Sequence, residues 1–403
     1  MGVVVTGLGL QSPHGDDPGG MFAALLRGES AVHEVFSGRL ARPAAAAEVD
    51  FDESRWFTKL KLAGVDRVSQ LAVAAAERAV SDAGLLGAID PTRTGIYAGC
   101  GMGGASAIEH AYLDSQNLAR IPPLTIPAFM PNAPASQIAI RLGVQGIVLT
   151  WSVACASSAI AIGEAMRAVQ RGDVDVAIAG GSEALIMPGV VSAWQAMQTL
   201  APFAPGEAAH ACRPFAADRG GFVLGEGSAF VVLETEAHAR ARGARVHARA
   251  LGYGLSCDAT HLTKPDPAGQ ARALAAALRE AGLAPADVGY CNAHGTATRI
   301  GDVVESEALA TVWGDALPQL RVSSTKALHG HLLGAAGALE SVITILALQQ
   351  RQLPPNQHRG AVDPAIALNL VQPGDTDAPQ LQAAVSSSFA FGGTNAVLAF
   401  ARA

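Results

Sequence analysis

The chain has 403 residues, of which half are hydrophobic and 16% charged, and its mean hydropathy is +0.26. That balance excludes a disordered chain, which is poor in apolar residues and dense in charge. A net charge of −7 leaves no basic footprint for nucleic acid, and no basic amphipathic stretch marks a membrane surface. The length suits one large α/β domain or two closely packed halves. Aromatic residues make up only 5% while glycines number 44, so backbones are expected to approach closely. Five cysteines, Cys100, Cys155, Cys212, Cys257 and Cys291, form no CxxC pair. An odd, scattered set reads as reduced, which places the chain in the cytoplasm. The start, MGVVVTGLGL, has no basic segment followed by a long apolar run, so no signal peptide is expected.

Residues 3–5 predict a short buried strand ending in a turn at Gly7 and Gly9. The Gly-x-Gly lacks the rest of a dinucleotide fingerprint. Residues 70–83 predict an Ala-rich helix closed by Gly84. The uncharged stretch 121–140 holds five prolines, which predicts an extended or looped segment rather than a membrane span. Residues 142–163 are also uncharged. They divide into a buried strand over 147–153 and the start of a helix from near Cys155 to Arg171, closed by Gly172. A buried strand over 174–179 should enter a turn at Gly180 and Gly181. Later come a helix over 269–281 closed by Gly282, strands over 288–291 and 322–324, and a long helix over 332–351. Strands over 383–389 and 396–400 join through Gly392 and Gly393. Strand and helix alternate in a multilayer α/β pattern, with no Pro- or Ser-rich linker between separate domains.

Four predicted strand ends carry chemistry. Cys155, in VACASS, sits at a strand-to-helix junction among small residues. A helix N-terminus favours thiolate over thiol and arms a nucleophile. Alone, it reads equally well as a buried structural cysteine. His294, in NAHGT, follows an apolar strand; alone, a satisfied core or loop histidine is the better reading. SSTKALHGH places Lys326, His329 and His331 within six residues. Zinc does not fit this segment, which has no local cysteine or acidic ligand. FAFGGTN, from Phe389 to Asn395, offers glycines that let backbone N–H groups face a ligand, or a plain hairpin turn. Together they supply a soft nucleophile, oxyanion donors and hydrogen-bond donors for an enolate, the set that thioester chemistry needs.

In their order and spacing, VACAS, NAHGTAT and SSTKALHGHLLGAAGALE resemble the β-ketoacyl-acyl-carrier-protein synthases of the elongating, ketoacyl synthase II type, within the thiolase superfamily. The likeness runs from VVVTGLG through RPFAADRGGFVLGEG to SSSFAFGGTN and covers nearly the whole chain. It implies a thiolase-like five-layer αβαβα sandwich of two pseudo-symmetric halves, 1–250 with the nucleophilic cysteine and 251–403 with the histidines. It also implies that Cys155 accepts the acyl group and that His294 and His331 complete a Cys-His-His triad. It implies as well that Lys326 and Glu340 belong to the catalytic set, with Glu340 bracing the network. Phe391 matches the family's gating phenylalanine, whose backbone N–H would join that of Cys155 in the oxyanion hole. By the same likeness Ile108, Trp194 and Phe389 line the substrate pocket, and Lys59, Lys61 and Arg67 lie near the docking region for acyl carrier protein. The implied chemistry is decarboxylative condensation of acyl and malonyl thioesters, without metal or other cofactor, in fatty-acid or polyketide synthesis. Partners would be acyl carrier protein and a second subunit, either a copy of this chain or a chain-length-factor-like relative. A non-decarboxylating thiolase-like acyltransferase and a non-catalytic partner subunit are the competing readings. Paired histidines argue against the first and retention of Cys155 against the second. His329 replaces the usual threonine or isoleucine, Trp194 stands near a frequent phenylalanine, and AADRGG has lost two acidic positions of the frequent DADRDG.

Overall fold

The structure, a computed structural model, describes residues 2–116 and 121–403. Strands Val148–Trp151, Thr94–Gly99, Val176–Glu183, Gly227–Thr235 and Val3–Gln11 lie side by side in that order. The first two pairings are parallel and the next two antiparallel. The later sequence repeats the design with Arg321–Ser323, Val288–Asn292, Ala383–Phe389, Thr394–Arg402 and Ala248–Cys257. Again two parallel pairings precede two antiparallel ones, and the short Asn369–Leu370 is added at the outer edge. The two sheets join edge to edge where Val3 faces Ala250 and Val5 faces Ala248. The strand that opens the second half, Ala248–Cys257, runs across residues 250 and 251.

Helices complete the layers. Arg67–Asp82 and Ala133–Leu142 cover the outer face of the first sheet, and Pro267–Ala281 with Arg299–Trp313 covers that of the second. Ser157–Arg171 and Ala336–Gln350 pack on each other between the sheets. This is the helix-sheet-helix-sheet-helix order that the resemblance implies. Local chemistry sets the ends. Asp66 and Asp266 accept backbone N–H groups as N-caps. Gly172 and Gly282 stop their helices in the left-handed region at φ +76° and +68°. The apolar stretch Leu333–Gln350 is long enough to cross a membrane by composition, yet 89% of it is buried inside the protein.

The expected turns at Gly7, Gly9, Gly180 and Gly181 do not form; both strands run straight through them. Those glycines serve close packing. A Cβ at Gly9 would lie 2.1 Å from the Ala75 carbonyl oxygen of the covering helix, and one at Gly180 would lie 2.0 Å from that of Ala229. The proline-rich stretch 121–140 is largely helical, as Thr125–Phe129 and Ala133–Leu142. Pro134 falls in a first turn, where the missing N–H has no intrahelical partner to lose. The strand expected over 147–153 shrinks to Val148–Trp151 and is half-exposed because it forms the sheet's edge. The long helix starts at Ala336, after a 3₁₀ turn over Leu333–Ala335.

Candidate active site

Cys155 stands between the edge strand and helix Ser157–Arg171 on a tight elbow. Ala154 is held at φ +44°, a conformation costly for a residue with a Cβ. Ser157 braces it. Its hydroxyl accepts from the Val153 N–H at 2.8 Å and donates to the Ala154 carbonyl at 2.7 Å. The sulfur is thereby turned into the molecule, not out to solvent. Burial pushes the thiol up to about 12, against the Lys326 charge and the Phe391 backbone N–H, which both pull it down. Desolvation thus acts against the thiolate expected at a helix N-terminus and outweighs the favourable donors.

His331 lies 3.1 Å from that sulfur through Nε2. Its backbone is pinned on both sides: its N–H donates to the Val223 carbonyl at 2.7 Å and its carbonyl accepts from the Gly225 N–H at 2.9 Å. His294 packs edge-on against His331, ring centroids 5.4 Å apart. The His294 and Gly295 N–H groups both donate to Glu305, at 2.8 and 2.7 Å. Gly295 is required there, since a Cβ would lie 2.5 Å from that of Ser324. Burial, then the Lys326 charge, holds both imidazoles well below their ordinary value. Both rings are neutral at pH 7, and each keeps a single N–H. The Nδ1 atoms are buried without a partner. A proton on Nε2 would leave only bare acceptors behind and aim the donor of His331 at the sulfur.

Lys326 and Glu340 form a fully buried ion pair beside the histidines. Burial pushes Glu340 up to about 7, with Lys326 acting against it. The sequence reading missed three further acids. Glu305 fixes the His294 backbone, as above. Asp302 accepts the Phe215 N–H at 2.7 Å and faces Arg219. Glu183 accepts from the N–H groups of Gly101, Met102 and Gly334 at 2.8, 3.2 and 3.0 Å, tying a loop of the first half to the turn after His331. Burial pushes all three up to about 7. Their sequence signal is an acid in an apolar strand (AIAGGSEALI) and a cluster of acids just after the histidine motif (GDVVESE).

A cavity of about 560 Å³ is lined by Cys155, His294 and His331 and, among its exposed residues, by Gln198, His261, Lys264 and Arg299. Residues 1–239 match the family described as beta-ketoacyl synthase, N-terminal domain, and residues 247–359 match the C-terminal domain of the same synthases. The chain belongs to the β-ketoacyl synthase family. It is similar to 3-oxoacyl-[acyl-carrier-protein] synthase 2 of Staphylococcus aureus (strain COL), with 37% identity over 99% of this chain and 97% of that one. Among solved structures it resembles the ishigamide ketosynthase/chain length factor, with a TM-score of 0.92, 32% identity and coverage of 100% and 99%. It also resembles a chain of the complex of a type II PKS acyl-carrier protein with its ketosynthase bound to the hexaketide, with a TM-score of 0.90, 29% identity and coverage of 100% and 99%. The family is one of acyl-transferring condensing enzymes, and the fold and enzyme class expected from the motifs stand.

The other residues singled out in the sequence of this ketoacyl synthase fall into place unevenly. Trp194, Phe389 and Phe391 line the cavity. Trp194 meets Phe391 at 6.2 Å and Phe222 at 5.4 Å, and Phe222 in turn meets His331 at 5.6 Å. Ile108 is not on the cavity wall; it lies exposed on helix Ala105–Gln116. Lys59 and Lys61 are exposed, but none of the three docking candidates borders the cavity. Arg67 is committed to Glu226 at 2.6 Å and to the Val49 carbonyl at 2.7 Å. His329 is buried outside the cavity, bonded to the Gly330 carbonyl at 2.8 Å and to the Thr325 hydroxyl at 2.9 Å. Cys155, His294 and His331 bring their sulfur and ring nitrogens within 4.8 Å of one another.

Proposed function

We propose that this chain joins an acyl group held on Cys155 to the two carbons that malonyl-acyl carrier protein keeps after losing CO₂. The observation that carries this reading is a sulfur 3.1 Å from one neutral imidazole, with a second packed against the first, in a chamber open to solvent. In the first half-reaction the sulfur attacks the acyl thioester carbonyl. The carbonyl oxygen becomes an oxyanion facing the Phe391 and Cys155 N–H groups, the bond to the carrier's sulfur breaks, and the thiol proton ends on that departing sulfur. In the second, the malonyl thioester oxygen accepts N–H groups from His294 and His331. The bond to the carboxylate breaks, CO₂ leaves and the electron pair becomes an enolate. The enolate carbon attacks the acyl carbon, and the Cys155 sulfur leaves and takes up a proton from solvent. Neutral rings suit this work, because each can donate to a growing negative charge without giving its proton away. Lys326 and Glu340 act through the histidines as positioning residues.

The test is mass spectrometry of the intact protein with acyl-carrier protein, paired with CO₂ release from malonyl-carrier protein. Wild-type protein should gain one acyl group, and Cys155→Ala none. Acylation of that variant, or condensation without CO₂ release, would overturn the reading. The second outcome would favour a thiolase-like acyltransferase.

A specialised ketosynthase working with a chain-length-factor-like partner is the second reading. It is supported by the open outer edge of strand Val148–Trp151, beside helices that leave Tyr112, Ile126 and Ile140 exposed at 65%, 62% and 74%. Such a surface fits a second thiolase-like chain, a copy of itself or a relative. Trp194 and Phe389 would then bound the acyl and malonyl groups, Ile108 would contribute only where a partner covers it, and Lys59 and Lys61 would offer charge to a carrier protein. Five free cysteines suit a cytoplasmic setting. Product analysis with carrier proteins loaded with acyl groups of different lengths separates lipid from polyketide or polyene duty.

A further inference from the structure

The reacting sulfur and the ring that touches it stand on different halves of the chain, so their 3.1 Å contact depends on how the halves are held together. The ring is fixed within its own surroundings. The His331 backbone is bonded on both sides, to Val223 and Gly225, and the His294 backbone is bonded to Glu305. The sulfur has weaker anchors. Its elbow continues from Val148–Trp151 at the open edge of the sheet, and Ser152, the next residue, is exposed. Two bonds tie this stretch inward. The Cys100 N–H donates to the Trp151 carbonyl at 3.0 Å, and the Ser152 hydroxyl donates to the Gly101 carbonyl at 2.9 Å. Gly101 is held in turn by Glu183, the last residue of strand Val176–Glu183 and wholly buried. Its Oε2 accepts from the N–H groups of Gly101 and Gly334, its Oε1 from that of Met102, with the Cys100 sulfur 4.0 Å away. No cation offsets its burial: the three N–H groups alone pull the carboxyl down, an arrangement costly to keep unless it serves a purpose. The clasp has no slack. A Cβ at Gly101 would lie 2.4 Å from Oε2, and one at Gly334 would lie 2.5 Å from Oε2 and 2.5 Å from the Gly101 nitrogen. Leu333, between His331 and Gly334, lines the cavity and is held at φ +47°. One carboxylate thus grips the loop behind the nucleophile and the turn after the histidine together.

We propose that Glu183 is a positioning residue for the sulfur–imidazole contact, holding the Cys155 elbow against His331 through Gly101 and Ser152. Glu183 does not line the cavity, so it acts through the backbone and not on substrate. Acyl transfer to Cys155 requires that contact, because a misplaced nucleophile reacts slowly. Enolate formation draws on imidazole donors whose backbones other bonds hold in place. Glu183 therefore serves the first half-reaction and not the second. The inference rests on the condensing reading above and divides its supports between the two steps.

The experiment follows two rates in the full chain: acylation of Cys155 by an acyl-N-acetylcysteamine thioester, read by mass spectrometry, and CO₂ release from malonyl-carrier protein. Glu183→Gln keeps the volume but turns one acceptor oxygen into a donor that faces an N–H. Its acylation rate should fall about 10- to 100-fold, while CO₂ release should change by less than about threefold. Ser152→Ala should slow acylation by about two- to fivefold, the scale of one hydrogen bond. Added to Glu183→Gln it should slow acylation no further, because both changes cut the same connection. Equal losses in the two rates overturn the proposal, since Glu183 would then be a general support of the fold. Unchanged acylation in Glu183→Gln overturns it too, as does a Ser152→Ala effect of the same size with and without Glu183. Should Glu183→Gln fail to fold, Ser152→Ala alone decides: acylation must slow while CO₂ release holds, and any other result overturns the proposal. If wild-type protein takes no acyl group, the condensing reading itself fails, and this inference falls with it.

Discussion

The two halves of the molecule share one strand order, yet each contributes a different kind of chemistry from matching positions. The loop after the outer parallel strand carries Cys155 in the first half and Lys326 and His331 in the second. The loop after the next strand carries Gly101 and Met102, held by Glu183, in the first half and His294, held by Glu305, in the second. The supports differ accordingly. The nucleophile rests on a strained elbow braced by a neutral hydroxyl. The histidines rest beside a buried ion pair. Sulfur attack needs a sharply presented atom, whereas enolate stabilisation needs two donors fixed in a dry, charged setting. A duplicated scaffold can therefore split one reaction, with the electron donor on one copy and the electron acceptor's partners on the other.

Removing each histidine in turn breaks that division most sharply. His294→Ala should lower CO₂ release from malonyl-carrier protein by about 10²–10³-fold, the scale for losing one oxyanion donor. His331→Ala should do the same and also slow acylation of Cys155, since its Nε2 is the group that touches the sulfur. Equal acylation rates in the two variants, measured by mass spectrometry, would mean that the rings do not divide the labour as the geometry implies.

The support of the second half is the next to fail. Lys326→Met leaves Glu340 buried without its partner, which should cost about 3–5 kcal/mol in urea unfolding. The double variant Lys326→Met/Glu340→Leu should recover most of that loss while staying slow in decarboxylation, because stability and ring positioning are separate consequences of the pair.

Motif order made the triad legible, because each member lies at a strand end beside small residues. Glu183, Glu305 and Asp302 were not legible as supports. A carboxylate that accepts backbone N–H groups leaves no periodic trace, and its partners lie across loops. Glycines misled in one direction. Gly7, Gly9, Gly180 and Gly181 resemble turn punctuation in sequence, but their purpose is clearance for a facing backbone, which only the packed structure reveals. Prolines misled in the other, since Pro134 begins a helix instead of preventing one. A helix end beside Cys155 is visible in sequence, whereas the desolvation that opposes it is visible only in the packed structure.

Clearance also sharpens the likeness between the halves. A Cβ at Gly9 would meet the Ala75 carbonyl oxygen at 2.1 Å, and one at Gly254 would meet that of Ala273 at 1.9 Å. The two glycines occupy corresponding strands under corresponding Ala-rich helices. Gly9→Ala and Gly254→Ala should each destabilise by at least about 1–3 kcal/mol, the usual range for overpacking, by forcing helix and sheet apart. If only one of them does so in thermal or urea unfolding, the halves are not packed to the same tolerance.

The smallest effect belongs to His329, a titratable ring in the second half with no counterpart near Cys155. Burial, then the Lys326 charge, lowers it from 6.5 to about 3, so it stays neutral in the folded state while an unfolded chain protonates it below 6.5. Its folded value is depressed, so the unfolded state binds more protons in that window and stability falls with falling pH. His329→Thr should cost about 1 kcal/mol at pH 7.5 through two altered hydrogen bonds. Below pH 6.5 the gap should close at up to about 1.4 kcal/mol per pH unit and then reverse, leaving the variant more resistant to acid. Decarboxylation should keep its pH profile, because the ring lies outside the reaction chamber. A shifted profile with no crossover in acid unfolding would place this imidazole in the chemistry and not in the packing.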